Sequence, residues 1–569
     1  PHNIARIARR SIAVVSRTTE GQGHMDGHRD RSAAMRAGGG FLTRRRFLQM
    51  VGATAGSGAV TTFMAALGQI PIAAQTVPPR IGGSGEGTKV IVLGAGPGGC
   101  PAAWELVKLG YDVTVIEARD RLGGHVFTVR GGSRTEEYGK GEQVCDWDDE
   151  SMWFDAGPSR IPFFHRSFFH YCHEFNIPLM DHKNLNLNSW VYAEGINGPL
   201  NGQRIRLHEM QADMAGHTSE LLARAADQDA LDAPLSAEDT ELLRDYLINW
   251  GILSSEDLTY GPSDHRGYTR LPDTQSAGTI ADPYPLTDLL PFSSSVMEAA
   301  GGYLAATATF DWQTTLVKPV GGVDRLYEVG FKEALGDRVL LNCEVTEIRQ
   351  SEDGVRIVYL NKVTGETEEV SGDYCVCNIP LSVLIKIDAD FSREFQEAIR
   401  AIPYAMALRL GLGFNRRFWE DDDWIYGGQS FSNIGELGIL DYPDDNYGAQ
   451  KGVMLGMYNF GTNAAKVSAM SYEDRVERAL ELGSKIHPQM RDEFMSGFSV
   501  AWHLEPYSLG AWPSFTERTR QQYFPLLQEP DGRVYLVGEH LSYVNAWIEG
   551  AVQAAWMQVS KLHLRVLSA

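Results

Sequence analysis

Apolar positions gather in short continuous runs separated by polar, glycine-rich stretches. Lys89–Leu93 (KVIVL) reads as a strand buried on both faces, Ala102–Leu109 as a helix, and Asp112–Ile116 as a second strand. Val534–Val537 is another strand-like run, and Cys375-Val376-Cys377 sets two thiols on one strand face. Elsewhere the period lengthens. Ser236-Ala237-Glu238-Asp239 has the form of a capping box ahead of Leu242, Leu243, Tyr246, Leu247 and Trp250 at helical spacing, a stripe expected in the core. Tyr260 to Pro285 is dense in Pro, Gly, Asp and Thr and predicts a long loop, placed over an active-site entrance.

Between the first strand and its helix lies Gly94-Ala95-Gly96-Pro97-Gly98-Gly99, and the second strand ends at Glu117. This is a GxGxxG turn in its strand–turn–helix–strand setting, with an acid about twenty residues on, the pattern of a dinucleotide-binding unit. Gly94 permits the tight turn, Gly96 lets backbone approach a pyrophosphate, and Gly99 lets helix and strand pack closely. The helix N-terminus offers positive potential to phosphate, and Glu117 accepts from ribose hydroxyls. The turn alone does not separate NAD from FAD.

Composition narrows the class without changing that reading. The 569 residues are 43% hydrophobic and 22% charged, a globular profile. Residues 1–50 hold ten Arg and no Lys against three acids, a charge of +7, so the rest carries −29 of the total −22. An acidic body argues against a nucleic-acid partner. The six cysteines show no zinc-like spacing, so no metal site is predicted. Thr43-Arg44-Arg45-Arg46-Phe47-Leu48 has the twin-arginine form, and Phe47 to Pro79 carries no charged side chain. The expectation is a twin-arginine signal and linker over residues 1–80, the export machinery as a partner, and a periplasmic or extracellular location; without a working signal the enzyme would stay in the cytoplasm.

Residues after the second strand carry a family resemblance. Glu117-Ala118-Arg119-Asp120-Arg121-Leu122-Gly123-Gly124-His125 resembles the E-A-x-x-R-x-G-G-R run of the flavin amine oxidases, with His125 where the family has Arg. Gly538-Glu539-His540 and Ala546-Trp547-Ile548-Glu549-Gly550-Ala551 resemble its closing G-E/D and W-I-E-G-A motif, and Trp502 to Gly510 its W-x-x-x-P-Y-x-x-G run. Lys318 to Asp324 resembles its P-x-G-G-M-D turn, and Asn342 to Ile348 the strand whose Val345 backbone meets adenine. The resemblance implies FAD, contacted by Arg121, Gly124, His125, Gly157, Pro158, Ser159, Arg160, Val345, Gly538, Glu539, Trp547 and Ile548. It implies noncovalent binding too, since no cysteine lies near Gly538–Gln558.

Within the family, Gly157-Pro158-Ser159-Arg160-Ile161-Pro162 is similar to the G-P-M-R-I/V-P segment of L-amino acid oxidases. There the Arg clamps the substrate carboxylate, so Arg160 is the expected clamp; its planar fork suits two parallel bonds. Asp441-Tyr442-Pro443 resembles the family's Y-Y-P, which implies a second carboxylate contact from Tyr442 and leaves Asp441, if it faces the cavity, to select a cationic side chain. Ala546 and Trp547 would back the substrate. Counting from Arg416-Arg417-Phe418-Trp419-Glu420 puts Arg409 where the family has the lysine that orders a water at flavin N5.

The resemblance implies an α/β class: a Rossmann-like FAD-binding domain interleaved with a mixed-sheet substrate domain and a helical domain. The expected segments are 81–162, 316–378 and 501–569 for FAD, 163–315 for the helical entrance domain and 379–500 for the substrate sheet. The expected activity is oxidative deamination of L-amino acids with oxygen as acceptor. An amino acid 2-monooxygenase, an amine oxidase or dehydrogenase, and a catalytically silent flavoprotein stay open, as does a homodimer.

Overall fold

Lys89–Leu93 is the middle strand of a five-stranded parallel sheet in the order Val339–Leu340, Asp112–Ile116, Lys89–Leu93, Tyr374–Cys377, Val534–Leu536. In this computed structural model residues 77–568 are described, apart from 80, 229, 232–234, 305–309, 311 and 313–315. All of them belong to one compact unit, Ala55–Ala569. The twin-arginine segment and most of the apolar run after it lie outside the described residues.

Strand alternation splits the parallel sheet's side chains between two cores. Val90 and Val92 pack with Ala102, Leu106, Val552 and Trp556, under the helices Gly99–Lys108 and Ile548–Ser568. Ile91 and Leu93 face the other way, with Cys375, Cys377, Ile348 and Phe395. All four central residues are fully buried, and each such side chain contributes roughly 1.5–3 kcal/mol. The sheet's strands come from three distant stretches of chain, so the FAD-type domain is interleaved with the others, as expected.

The second large sheet has seven strands, in the order Gln203–Arg206, Trp190–Ala193, Gly428–Ser432, Ile439–Tyr442, Gly452–Phe460, Ala407–Phe414, Phe494–Ala501. It is mixed: Gly428–Ser432 runs parallel to Trp190–Ala193 and the other neighbours are antiparallel. Two of its strands come from the helix-rich stretch after residue 162. One face packs Leu408, Leu410, Leu412, Met454 and Met457 against the helices Gly461–Ser468 and Tyr472–Gly483.

Two expectations are corrected. The capping box forms, with Ser236 Oγ accepting from Asp239 N at 3.1 Å, but the stripe it leads is not core. Leu242, Tyr246 and Trp250 are 62%, 59% and 63% exposed, and only Leu247 of the five is buried. The stretch Tyr260–Pro285 contains a small hairpin, Tyr268–Arg270 with Thr279–Ile280. It is anchored on the helix Leu207–Asp227, where Asp213 accepts from Tyr260 Oη at 2.8 Å and Tyr284 N at 2.9 Å. None of its residues lines the cavity described next.

Candidate functional site

The strand Lys89–Leu93 delivers the chain to a turn that only glycine can make. Gly94 has φ of +87°, and a Cβ on Gly99 would sit 1.9 Å from the Gly94 carbonyl oxygen. Glu117 is held at the neighbouring strand end: Oε2 accepts from Ala95 N at 2.7 Å and Oε1 from Arg119 N at 2.9 Å. Beside this turn opens a cavity of about 570 Å³, within the range of cofactor sites. Glu117, Gly94, Gly96, Gly124, His125 and Val345 line it, as do Gly157, Pro158, Arg409, Gly538, Glu539, Ala546, Trp547 and Ile548.

The lining fits FAD. A Cβ on Gly157 would lie 1.8 Å from the His125 carbonyl oxygen, so the wall comes as close to the cavity as backbone allows. Burial pushes the Glu539 carboxyl up to about 8, against the pull of the Ala546 amide, which suits a carboxyl exchanging hydrogen bonds with hydroxyls. The helix Ile548–Ser568 begins at the cavity wall, where its N-terminus favours negative charge. Cys343, beside Val345, is the one cysteine in the lining, remote in sequence from Gly538–Gln558.

His125 enters this wall as a neutral ring. Burial pushes it down to about 4; Nε2 lies 2.8 Å from the Gly510 carbonyl, and the ring lies 4.7 Å from Trp502. In the neutral ring Nε2 carries the proton and donates, so the positive charge of an arginine is absent here. Arg121 does not reach the cavity. Its guanidinium lies over Phe127 at 4.0 Å and donates to the carbonyls of Leu122 and Val126, which makes it a brace for the turn. Gly99, Ser159, Arg160 and Asp441 are not among the residues that line the cavity either.

The substrate side assembles from four separate stretches. Arg160 is 4% exposed, and neither Nη1 nor Nη2 has a hydrogen-bond partner among the described residues. Its guanidinium lies over Trp312 at 4.5 Å, and Trp312 meets Trp547 edge-on at 6.4 Å. His165 packs against Trp547 on another side at 4.9 Å, with burial pushing it down to about 3. Arg409 is equally buried, but its Nη1 is engaged. It donates to the carbonyls of Asp155 (2.7 Å) and Gly157 and stacks on Tyr458 at 4.0 Å. Arg409 therefore braces the segment that carries Arg160. Sequence reasoning missed Trp312 and Tyr458; the pairing of Arg409 with Tyr458 across adjacent strands is a tertiary signal.

Tyr442 is turned away from this site, a correction to the expected carboxylate contact. Its hydroxyl lies 2.6 Å from Ser430 Oγ and 2.6 Å from His487 Nε2, inside the core on the far face of the sheet. His487 Nδ1 in turn lies 2.8 Å from Asp423 Oδ2. Strand alternation puts Asp441 on the near face instead. It pairs with Gln429 and Leu455, and Leu455 pairs with Gly411, two residues from Arg409 on the same face. Asp441 lies within electrostatic reach of Arg160.

Comparison with known proteins agrees with this geometry. Residues 99–562 match the family model for flavin-containing amine oxidoreductases. A putative L-amino-acid oxidase of Bacillus subtilis, YobN, is 27% identical over 476 residues, covering 82% of this chain and 92% of that protein. An L-amino-acid oxidase of Siganus canaliculatus is 26% identical over 510 residues, covering 87% and 88%. Among solved structures, wild-type putrescine oxidase bound to putrescine superposes with a TM-score of 0.53 at 18% identity, covering 85% of this chain and 99% of that one; a redesigned triple mutant reaches 0.55. These share the fold. The chain belongs to the flavin-containing amine oxidoreductase family: it is an oxidoreductase with FAD as its noncovalent cofactor.

Proposed function

We propose that the enzyme oxidatively deaminates L-amino acids, consuming oxygen and water and yielding a 2-oxo acid, ammonia and hydrogen peroxide. The observation that carries this reading is the buried guanidinium of Arg160, whose terminal nitrogens have no hydrogen-bond partner among the described residues. Leaving a charge buried and unpaired costs several kcal/mol, and a carboxylate accepting two parallel bonds removes that cost. An amine without a carboxylate offers nothing to it. The relatives described as L-amino-acid oxidases support the same choice.

FAD, when bound, supplies the hydride acceptor at flavin N5 and the route of electrons to oxygen. The protein positions and encloses. Arg160 holds the substrate carboxylate, and Trp547 with Ala546 backs the carbon chain, so that Cα is fixed toward the cavity. Trp312, packed over Arg160, keeps water off the guanidinium and strengthens its grip. Arg409 pins the carbonyls of Asp155 and Gly157 and so fixes the strap that ends at Arg160. The substrate binds as the free amine, and the imino acid product is hydrolysed by water.

Replacing Arg160 by Met tests the reading. kcat/KM for amino acids is expected to fall at least roughly 100-fold, chiefly through KM, with the flavin absorbance intact. Unchanged kinetics would remove the clamp.

Arg409 favours a second reading, electron transfer to an acceptor other than oxygen. A guanidinium fixed on two carbonyls stays charged at any ordinary pH and differs in shape and hydration from a lysine. Peroxide formed per amino acid consumed separates the two, and keto acid against amide among the products separates deamination from oxidative decarboxylation. Export in the folded, FAD-loaded state through the twin-arginine route is part of the proposal. Changing Arg44 and Arg45 to Lys should keep the enzyme in the cytoplasm, and unchanged export would refute it.

A further inference from the structure

At one side the flavin cavity reaches the surface. Its lining includes Tyr138 and Lys386, yet Tyr138 is 53% exposed and Lys386 is exposed as well. Residues that touch both the cavity and the surface mark a mouth. These two come from distant parts of the chain and meet there, with Lys386 Nζ over the Tyr138 ring at 4.9 Å. Between exposed groups such a contact is weak and opens readily.

Fixed backbone aims both partners. Tyr138 follows Glu137, whose carboxylate makes a fully buried bidentate pair with Arg475 at 2.9 and 2.6 Å. Tyr138 N donates to the Leu504 carbonyl at 2.9 Å, and Gly139, at φ +77°, then turns the hairpin of Arg134–Glu137 with Gly141–Val144. Lys386 follows the short helix Leu381–Leu384. Two residues on, Asp388 pairs in parallel with Glu347, on the strand Cys343–Gln350 that carries Val345. The start of that strand is tied to Glu117, whose carbonyl accepts from Cys343 N at 2.8 Å. Lys386 is thus set toward the nucleotide end of the cavity.

Charge points the same way. The strongly acidic group of FAD is its diphosphate, and the described lining residues offer three cations, Arg119, Lys386 and Arg409. Arg119 is paired with Glu505 and donates to Ser508 Oγ at 2.9 Å. Arg409 Nη1 is held by two carbonyls. His125 brings no charge where the family has a guanidinium. Lys386 makes no hydrogen bond or ion pair with a described residue; its contact is the Tyr138 ring. An ammonium on a long flexible stem is suited to meet a phosphate as a point charge.

We infer that Lys386 and Tyr138 form a clasp that retains FAD: the ammonium supplies counter-charge to the diphosphate, and the tyrosine ring covers the mouth behind it. The clasp does not depend on which substrate is oxidised. Release of the cofactor requires both contacts to open.

The test is release of FAD from the loaded full chain on dilution, followed by the rise of free-flavin fluorescence, at about 50 and about 500 mM KCl. Lys386→Gln should release FAD about 5- to 10-fold faster at low salt and lose most of the wild-type salt dependence. Lys386→Arg should keep both. Tyr138→Ala should release FAD about 3- to 5-fold faster at either salt concentration, whereas Tyr138→Phe, which keeps the ring, should match the wild type. Both side chains are exposed, so neither change disturbs the core. A wild-type release rate in Lys386→Gln or in Tyr138→Ala overturns the inference, as does a salt dependence that survives loss of the ammonium in full.

Discussion

The two faces of the seven-stranded sheet carry buried polar side chains with opposite fates. On the far face Ser430, Tyr442, His487 and Asp423 form an unbroken chain of contacts between 2.6 and 2.8 Å. On the near face Asp441 accepts from Gln429, whereas both terminal nitrogens of Arg160 have no hydrogen-bond partner among the described residues. Arg160, at 4% exposure, is about as buried as the far-face residues, so burial alone does not mark function. Satisfaction does. A polar group closed upon its neighbours supports the fold, whereas one left open can still receive a ligand. Arg409 shows the distinction within the near face: as buried as Arg160, at 5% against 4% exposure, it is spent on backbone carbonyls.

Acid should break the contrast most strongly. His125 and His540 are pushed down to about 4, and His165 to about 3, each by burial. The unfolded chain takes up these protons first, so the stability involved is complete above pH 6.5 and is lost as pH falls toward 4. Each histidine contributes up to about 3 kcal/mol to that loss. Thermal melting of the FAD-loaded enzyme across pH 7 to 4 should show a steep fall, and a flat profile would contradict their neutral burial.

Arg409→Met comes next. It strips the carbonyls of Asp155 and Gly157 of their donor and should cost about 2–4 kcal/mol of stability. Arg160→Met, which removes an unpaired charge, should leave the melting temperature unchanged or raise it. Equal destabilisation by the two would erase the difference between brace and clamp. Tyr442→Phe has the smallest expected effect. It leaves Ser430 and His487 short of a partner and should cost about 1–2 kcal/mol in chemical denaturation. KM for amino acids should stay at the wild-type value; a rise would return Tyr442 to the substrate site.

The cradle was legible because its parts are contiguous. Strand, glycine turn, helix and acid lie within thirty residues, and the steric demands on Gly94 and Gly99 follow from local geometry. The substrate wall was legible only in fragments. Arg160 stood out within its motif, but Trp312, the neighbour that desolvates it, carries no local signal. The choice between Asp441 and Tyr442 turned on strand parity, since a shift of one residue exchanges one face of the sheet for the other. The helix Ala237–Gly251 teaches the same from another side: its 3.6-residue periodicity is real, yet Leu242, Tyr246 and Trp250 are exposed.

By itself, then, the chain's sequence determined what short-range sterics and spacing dictate: the nucleotide-binding turn, the strands that flank it, and the arginine that its motif singles out. Tertiary structure decided which polar groups were used up and which were left open. That outcome depends on partners far away in sequence, such as Asp155 for Arg409 and His487 for Tyr442. A side chain's function here is set by what does not bond to it, and that is a property of the packed whole.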